Sequence, residues 1–160
     1  MKPILHIPQS IWSKTQTGLA SRGAGKRESA CIWVGHREKH RWIVKGIIFL
    51  DDIPGTIANK RFHHTPNVVI QQIYELLRKE GFQIIADVHT HPALNVEMSE
   101  LDKSHPTEFR IGFLSLILPN YGYPPITLKN IGFHEYLGND KWTRVRYSNI
   151  IKRVKFTEDD

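Results

Sequence analysis

Four residues in one short stretch carry the clearest chemical signal of the chain. His89 and His91 stand in His89-Thr90-His91-Pro92, and Ser99 and Asp102 follow in Ser99-Glu100-Leu101-Asp102. Residues i and i+2 of an extended strand point to the same side, so both imidazoles can face one metal ion, and an acid further along can close its far side. His89, His91 and Asp102 are therefore read as ligands of a catalytic zinc ion. Three protein ligands leave one coordination position open for water, whereas a structural zinc site is normally closed by four. Cys31 is the only cysteine, which excludes a cysteine-rich structural site.

Each of these residues also has a bland reading. A strand with two histidines can simply end in a polar loop, and Ser-x-x-Asp resembles a capping box in which Ser99 satisfies the backbone donors of a helix start. Ser99 is compatible with both jobs. Water activated on a metal also needs a carboxylate to carry its proton, and Asp102 is occupied as a ligand. Spacing alone leaves Glu28, Asp51, Asp52, Asp87, Glu97 and Glu100 open for that role. Asp87 shares strand parity with His89 and His91, which suits a fourth ligand, a partner of a ligand, or an acid near a strand end. His63-His64 are adjacent, so they cannot chelate easily from one strand face, and they read as an exposed loop pair. His105 reads as a surface residue.

The elements that must position this set can be read coarsely. A strand near Ile4 to Ile7 precedes a helix opened by Ser10, with Ile11, Trp12 and Leu19 on one face. Glu28 to Gly35 and Trp42 to Leu50 read as paired strands. Thr65-Pro66 caps a helix running through Val68, Val69, Ile73, Leu76 and Leu77 to a Gly81 stop. Gln83 to His89 is a buried strand that delivers the histidines at its C-terminal end. A short helix starts near Ser99, and strands follow at Ile111 to Leu118 and Ile131 to Leu137. Trp142 to Tyr147 suits a strand, and Ser148 to Phe156 suits either helix or strand. The sum is a mixed α/β domain with one sheet.

The chain has 160 residues, 40% apolar and 24% charged, which fits one soluble domain over 1–160. No apolar run reaches the length of a membrane span, the N-terminus lacks a secretory segment, and one cysteine permits no internal disulfide; together these predict a cytoplasmic protein. The net charge of +6 is concentrated at Arg37 to Arg41 and from Lys141 to Lys155. A solvated face is the first reading of those clusters, an acidic partner or nucleic acid the second. No basic helix with interleaved aromatics supports nucleic acid.

The motif resembles that of the JAB/MPN metalloproteases, also called JAMM proteases: an upstream glutamate, then H-x-H-P, seven residues to a serine, then x-x-D. His89, His91 and Asp102 match the zinc ligands, Pro92 the proline, and Ser99 the serine that helps bind the carbonyl oxygen. Glu28, opening the strand Glu28 to Gly35, stands where the family carries its catalytic glutamate before an apolar strand that ends in glycine, which selects it from the open acids. The resemblance covers roughly Glu28 to Leu137. It implies a cytidine-deaminase-like α/β fold, a central mixed sheet flanked by helices.

It also implies an activity. Members of this kind cleave after the C-terminal glycine of ubiquitin or a ubiquitin-like protein, and small bacterial ones accompany activating and conjugating enzymes. The expected partner is thus a ubiquitin-like protein or its conjugate, held by strand addition beside the site, with Asp52 to His64 and Asn120 to Asn130 at the positions of two family insertions. Two alternatives stand beside this. One keeps the zinc site and acts on a sulfur-carrier protein or releases a C-terminal amino acid. The other is a noncatalytic MPN-type scaffold, against which the intact motif argues.

Overall fold

The computed structural model describes residues 1–159. In chain order the elements are β1 (Ile4–Pro8), α1 (Gln9–Gly23), β2 (Ala30–Arg37), β3 (Arg41–Phe49), β4 (Ile57–Ala58), β5 (His63–His64), α2 (Asn67–Lys79), β6 (Gln83–Thr90), α3 (Glu100–Ser104), β7 (Leu114–Leu118), β8 (Gly132–Gly138), β9 (Lys141–Arg144), α4 (Tyr147–Arg153) and β10 (Val154–Thr157). Eight strands form one mixed sheet in the order β10-β1-β3-β2-β6-β7-β8-β9, and β4 and β5 make a separate hairpin. The β6–β7, β1–β3 and β1–β10 pairs are parallel; the β2–β3, β2–β6, β7–β8 and β8–β9 pairs are antiparallel.

Strand alternation divides the apolar residues between two faces. Cys31, Trp33, Val88, Leu116 and Phe133 pack with Trp12 and Leu19 of α1. Ile32, Val34, Ile84, Phe113 and Tyr136 pack with Ile70 and Ile73 of α2. On β6 the parity is reset by a bulge: Trp33 pairs with Ala86 but Val34 with Ile84, leaving Ile85 as the extra residue. Ala86 and Val88 consequently face α1, and Asp87 and His89 alternate to the side of α2. This places the end of β6 where a polar site can form beyond the apolar core.

The chain ends differ from the sequence reading. Helix α1 begins at Gln9 and has no side-chain cap. Ser10 does not open it; the Ser10 backbone N–H and hydroxyl both donate to Asp159 Oδ1, at 3.3 and 2.6 Å, so a distant carboxylate serves the helix start. Thr65-Pro66 likewise provides no side-chain cap for α2, because the Thr65 hydroxyl is engaged with Thr56 at 3.0 Å. Gly81, with φ of +76°, does end that helix as its sequence position predicts. The ambiguous tail is both structures in turn: Ile150 anchors α4, and β10 then pairs with β1 through Leu5–Val154 to Pro8–Thr157. Glu135 of β8 accepts hydrogen bonds from Lys2 and Arg153, tying both ends to the sheet. Among the described residues no helix is long and apolar enough to cross a membrane.

Candidate metal centre

Strand β6 carries His89, and the chain leaves it in an extended path that keeps His91 on the same side. That path is fixed by backbone bonds: His91 N–H donates to Leu118 O at 2.9 Å and Tyr121 N–H to His91 O at 2.8 Å. Thr90, pointing the other way and fully buried, accepts the Ser29 N–H on its hydroxyl at 3.0 Å, while its own N–H donates to Ser29 O at 3.0 Å. This clamp brings the segment before β2 against the end of β6. Glu28 lies in that segment rather than in the strand, its N–H donating to Asn59 O of the β4–β5 turn at 2.7 Å.

Helix α3 brings the acid. Ser99 is its N-cap, and the capping box is complete: Asp102 N–H donates to Ser99 Oγ at 3.0 Å, and Ser99 N–H donates to Asp102 Oδ2 at 2.9 Å. That oxygen also lies 3.1 Å from His91 Nε2 and 3.4 Å from His89 Nε2. The local start signal of a five-residue helix therefore also aims the carboxylate.

The three ligand atoms form a triangle, with the two Nε2 atoms 3.2 Å apart. Tetrahedral zinc with ligands at about 2.0–2.1 Å separates each ligand pair by about 3.3 Å, so edges of 3.1, 3.2 and 3.4 Å fit one face of that polyhedron. One ligand atom from each of Glu28, His89, His91 and Asp102 falls within 4.8 Å of the others. Glu28 Oε1 stands further back, 4.0 Å from His91 Nε2, and Glu28 Oε2 is buried without a partner. The donor set suits a divalent ion held by two imidazoles and one carboxylate, with a second carboxylate at its side. His91 is oriented by its other nitrogen, which lies 2.9 Å from the carbonyl of Asn95. A carbonyl only accepts, so Nδ1 carries the proton and Nε2 turns its lone pair inward.

Without an ion, protons settle this crowd of charges. Burial opposes charge on His89, but the hydrogen bond and charge of Asp102, with Glu28 and Asp87 behind, win and push its pKa up to about 9. Burial would raise the Asp102 carboxyl, yet His89, His91 and the Ser99 N–H hold it well below the usual carboxylate range. For Glu28 burial dominates over the attraction of the two histidines, and its pKa is pushed up to about 7. A carboxyl that titrates near neutrality can take a proton and return it.

The other acids are placed elsewhere. Asp87 is not in the cluster: its oxygens accept from the hydroxyls of Ser115 and Thr107, the latter at 2.7 Å, so it is a buried neighbour of His89. Asp51 accepts the Ala30 N–H at 2.9 Å and pairs with His63 at 3.2 Å, while Asp52 pairs with Arg22 and Glu97 with Arg144. Glu100 is exposed and reaches Lys103. His63 and His64 are not an exposed loop pair. They form β5, with the His63 side chain only 4% exposed against Asp51, and His64 stacked on Phe62 and edge-on to the exposed His105. Residues that spacing did not single out, namely Thr90, Asn95 and Asn59, hold the site through hydroxyl and backbone groups. Only the i, i+4 step from His91 to Asn95 was a local signal for any of them.

Known proteins resemble the chain in sequence and in fold. A protein of Sinorhizobium fredii called probable metalloprotease y4jG is 22% identical over 158 residues, covering 94% of this chain and 93% of its own. A solution structure of a Desulfitobacterium hafniense protein matches 98% of the chain and 94% of its own length with a TM-score of 0.69 at 14% identity. The crystal structure of a JAB1/MPN domain protein from Archaeoglobus fulgidus matches 91% and 94% with a TM-score of 0.51 at 14% identity. At such identities the two structures show a shared fold. The profile describing prokaryotic homologs of the JAB domain matches residues 18–120, which takes in Glu28, both histidines, Ser99 and Asp102, and the chain belongs to that family.

Proposed function

We propose that the protein is a zinc-dependent peptidase or isopeptidase that cuts after the C-terminal glycine of a ubiquitin-like protein, in deconjugation or in precursor processing. The observation that carries the hydrolytic part is the His89, His91 and Asp102 triangle with Glu28 buried beside it. Zinc held by those three residues would supply a water of lowered pKa and a Lewis acid for the carbonyl. Glu28 takes the proton of the attacking water and delivers it to the departing amine. Ser99 Oγ already accepts from Asp102 N–H, so its own hydroxyl proton is free to meet the carbonyl oxygen.

The substrate part rests on the surroundings. The β4–β5 hairpin is tied to Glu28 through Asn59, and a two-stranded hairpin leaves strand edges to which an extended tail can add. A tail passing this close to buried side chains is favoured when it lacks side chains, as Gly-Gly does. The test is incubation of the zinc-loaded protein with a ubiquitin-like protein fused through Gly-Gly to a second protein, read by mass spectrometry. Cleavage after the last glycine, lost when the penultimate glycine becomes Leu, is the expected result. Cleavage at unrelated internal bonds overturns the substrate and leaves the zinc chemistry standing.

A further inference from the structure

One of the two basic clusters matches the whole net charge of +6 in size. From Lys141 to Lys155 the chain holds six cations (Lys141, Arg144, Arg146, Lys152, Arg153, Lys155) and no acid, so the remaining 16 Lys and Arg and 16 Asp and Glu cancel. Arg153 is committed to Glu135 and Arg144 to Glu97. Lys141, Arg146 and Lys152 are exposed and have no carboxylate partner among the described residues.

Arg146 stands on the rim of a groove of about 420 Å3 between the segment ahead of β8 and helix α4. Its floor is aliphatic, from Ile131, Val145 and Ile150, and its rim carries Lys129 and Tyr147 as well; no acid lines it. The Lys129 ammonium lies over the Tyr147 ring, 5.9 Å from its centroid. Strand β9 joins this groove to the metal centre. Trp142 Nε1 donates to Lys103 O at 3.2 Å, next to Asp102, and Arg144 pairs with Glu97 in the loop between His91 and Ser99. From Trp142 to Arg146 an extended chain covers about 13 Å.

We infer that this groove binds an acidic polypeptide segment with an apolar anchor, presented by the protein whose tail enters the metal centre. The ownership of that segment rests on the proposed function; the binding does not. Cations on the rim complement acidic side chains and the aliphatic floor takes the anchor. Single-stranded nucleic acid needs a succession of aromatic faces for stacking, and the groove lining offers one ring, Tyr147. A membrane surface needs a longer amphipathic helix than the seven residues of α4.

The test uses zinc-loaded, isotope-labelled full-length protein and a random copolymer of glutamate and tyrosine as probe. Saturable NMR shifts confined to residues 128–131 and 144–151 are expected, weakening as salt rises. Lys129→Glu with Arg146→Glu should weaken binding about tenfold, and Arg78→Glu with Lys79→Glu on α2, which changes net charge equally, should not. Equal weakening by both pairs, shifts spread over all lysines, or tighter binding of oligo-dT in the same groove overturns the inference. A second arm measures cleavage of a Gly-Gly fusion whose ubiquitin-like part carries an acidic patch: the groove pair should raise KM about tenfold with kcat held. If no fusion is cut by the parent protein, the proposed function fails, and the binding arm still decides the groove.

Discussion

Two pairs of histidines lie on neighbouring parts of this molecule and do different work. His89 and His91 are two residues apart on an extended path, and their Nε2 atoms converge to 3.2 Å. His63 and His64 are consecutive in β5 and diverge, one to the buried carboxylate of Asp51 and the other to a stack with Phe62 and His105. Residue type is the same and burial is similar. Strand parity decides that one pair makes a donor set and the other a brace for the hairpin beside Glu28.

The sharpest way to break this contrast is to remove one histidine from each pair. His91→Ala should abolish tight zinc binding, taking hydrolysis down by more than a thousandfold, while His64→Ala should keep about one zinc per chain by elemental analysis. A His64 variant that loses its metal would show that the second pair is part of the centre after all. Next in size, Glu28→Gln should keep zinc and fold but lower kcat by a factor of about a hundred to ten thousand, as expected of a proton carrier outside the ligand triangle. Ser99→Ala separates cap from catalysis: loss of the cap costs about 1 kcal/mol in a melting experiment, and loss of a donor to the carbonyl oxygen lowers kcat about a hundredfold. Unchanged turnover would reduce Ser99 to its helix role.

Acidity sharpens the comparison further. In the metal-free protein His89 titrates at about 9 against 6.5 unfolded, so its pairing with Asp102 stabilises the fold fully below about pH 6.5 and is lost as pH rises through 9. Zinc must displace that proton, so zinc affinity should run the opposite way, rising by up to about tenfold per pH unit until pH 9. Competition titrations with a chelator at pH 6, 7 and 8 check this; a flat profile would mean that His89 is already neutral. Smallest in effect, His63→Ala should leave zinc affinity intact and lower stability by about 1–3 kcal/mol, since Asp51 keeps the Ala30 N–H but loses its ring partner in a buried place. The folded Asp51 carboxyl is held below its usual value, its burial outweighed by bonds to His63 and the Ala30 N–H, so its contribution is present above about pH 4 and fades as pH falls through the lowered value.

What could be read from sequence follows the reach of each interaction. The triangle is nearly local, since His89, His91, Ser99 and Asp102 lie within one strand end, one loop and one capping box, and such spacing survives any fold that contains them. The apolar-rich runs likewise disclose β2, β6 and β8 to within a few residues. Glu28 came from order in the chain and from the resemblance, because the clamp that holds its segment joins Ser29 to Thr90, sixty-one residues apart. His63 looked like a loop residue because its burial depends on Asp51 and on the hairpin closing over Ala30. Ser10 and Thr65 read as helix caps, but their hydroxyls have other partners: Asp159 at the far end of the chain for Ser10, and Thr56 across the β4–β5 hairpin for Thr65.

The parallel pairing of β1 with β10 has a mechanical consequence. In parallel strands, a force that draws β1 from its first residue and β10 from its last acts along the strand axes in opposite directions. The four register pairs from Leu5–Val154 to Pro8–Thr157 are then loaded together, in shear, instead of opening one after another as in a zipper. The Lys2 and Arg153 bonds to Glu135 share that load. Stretched by a tether at each of these strands, the molecule should yield at high force and in one step, with a lifetime set by the barrier to unfolding and not by the stability of its weakest loop.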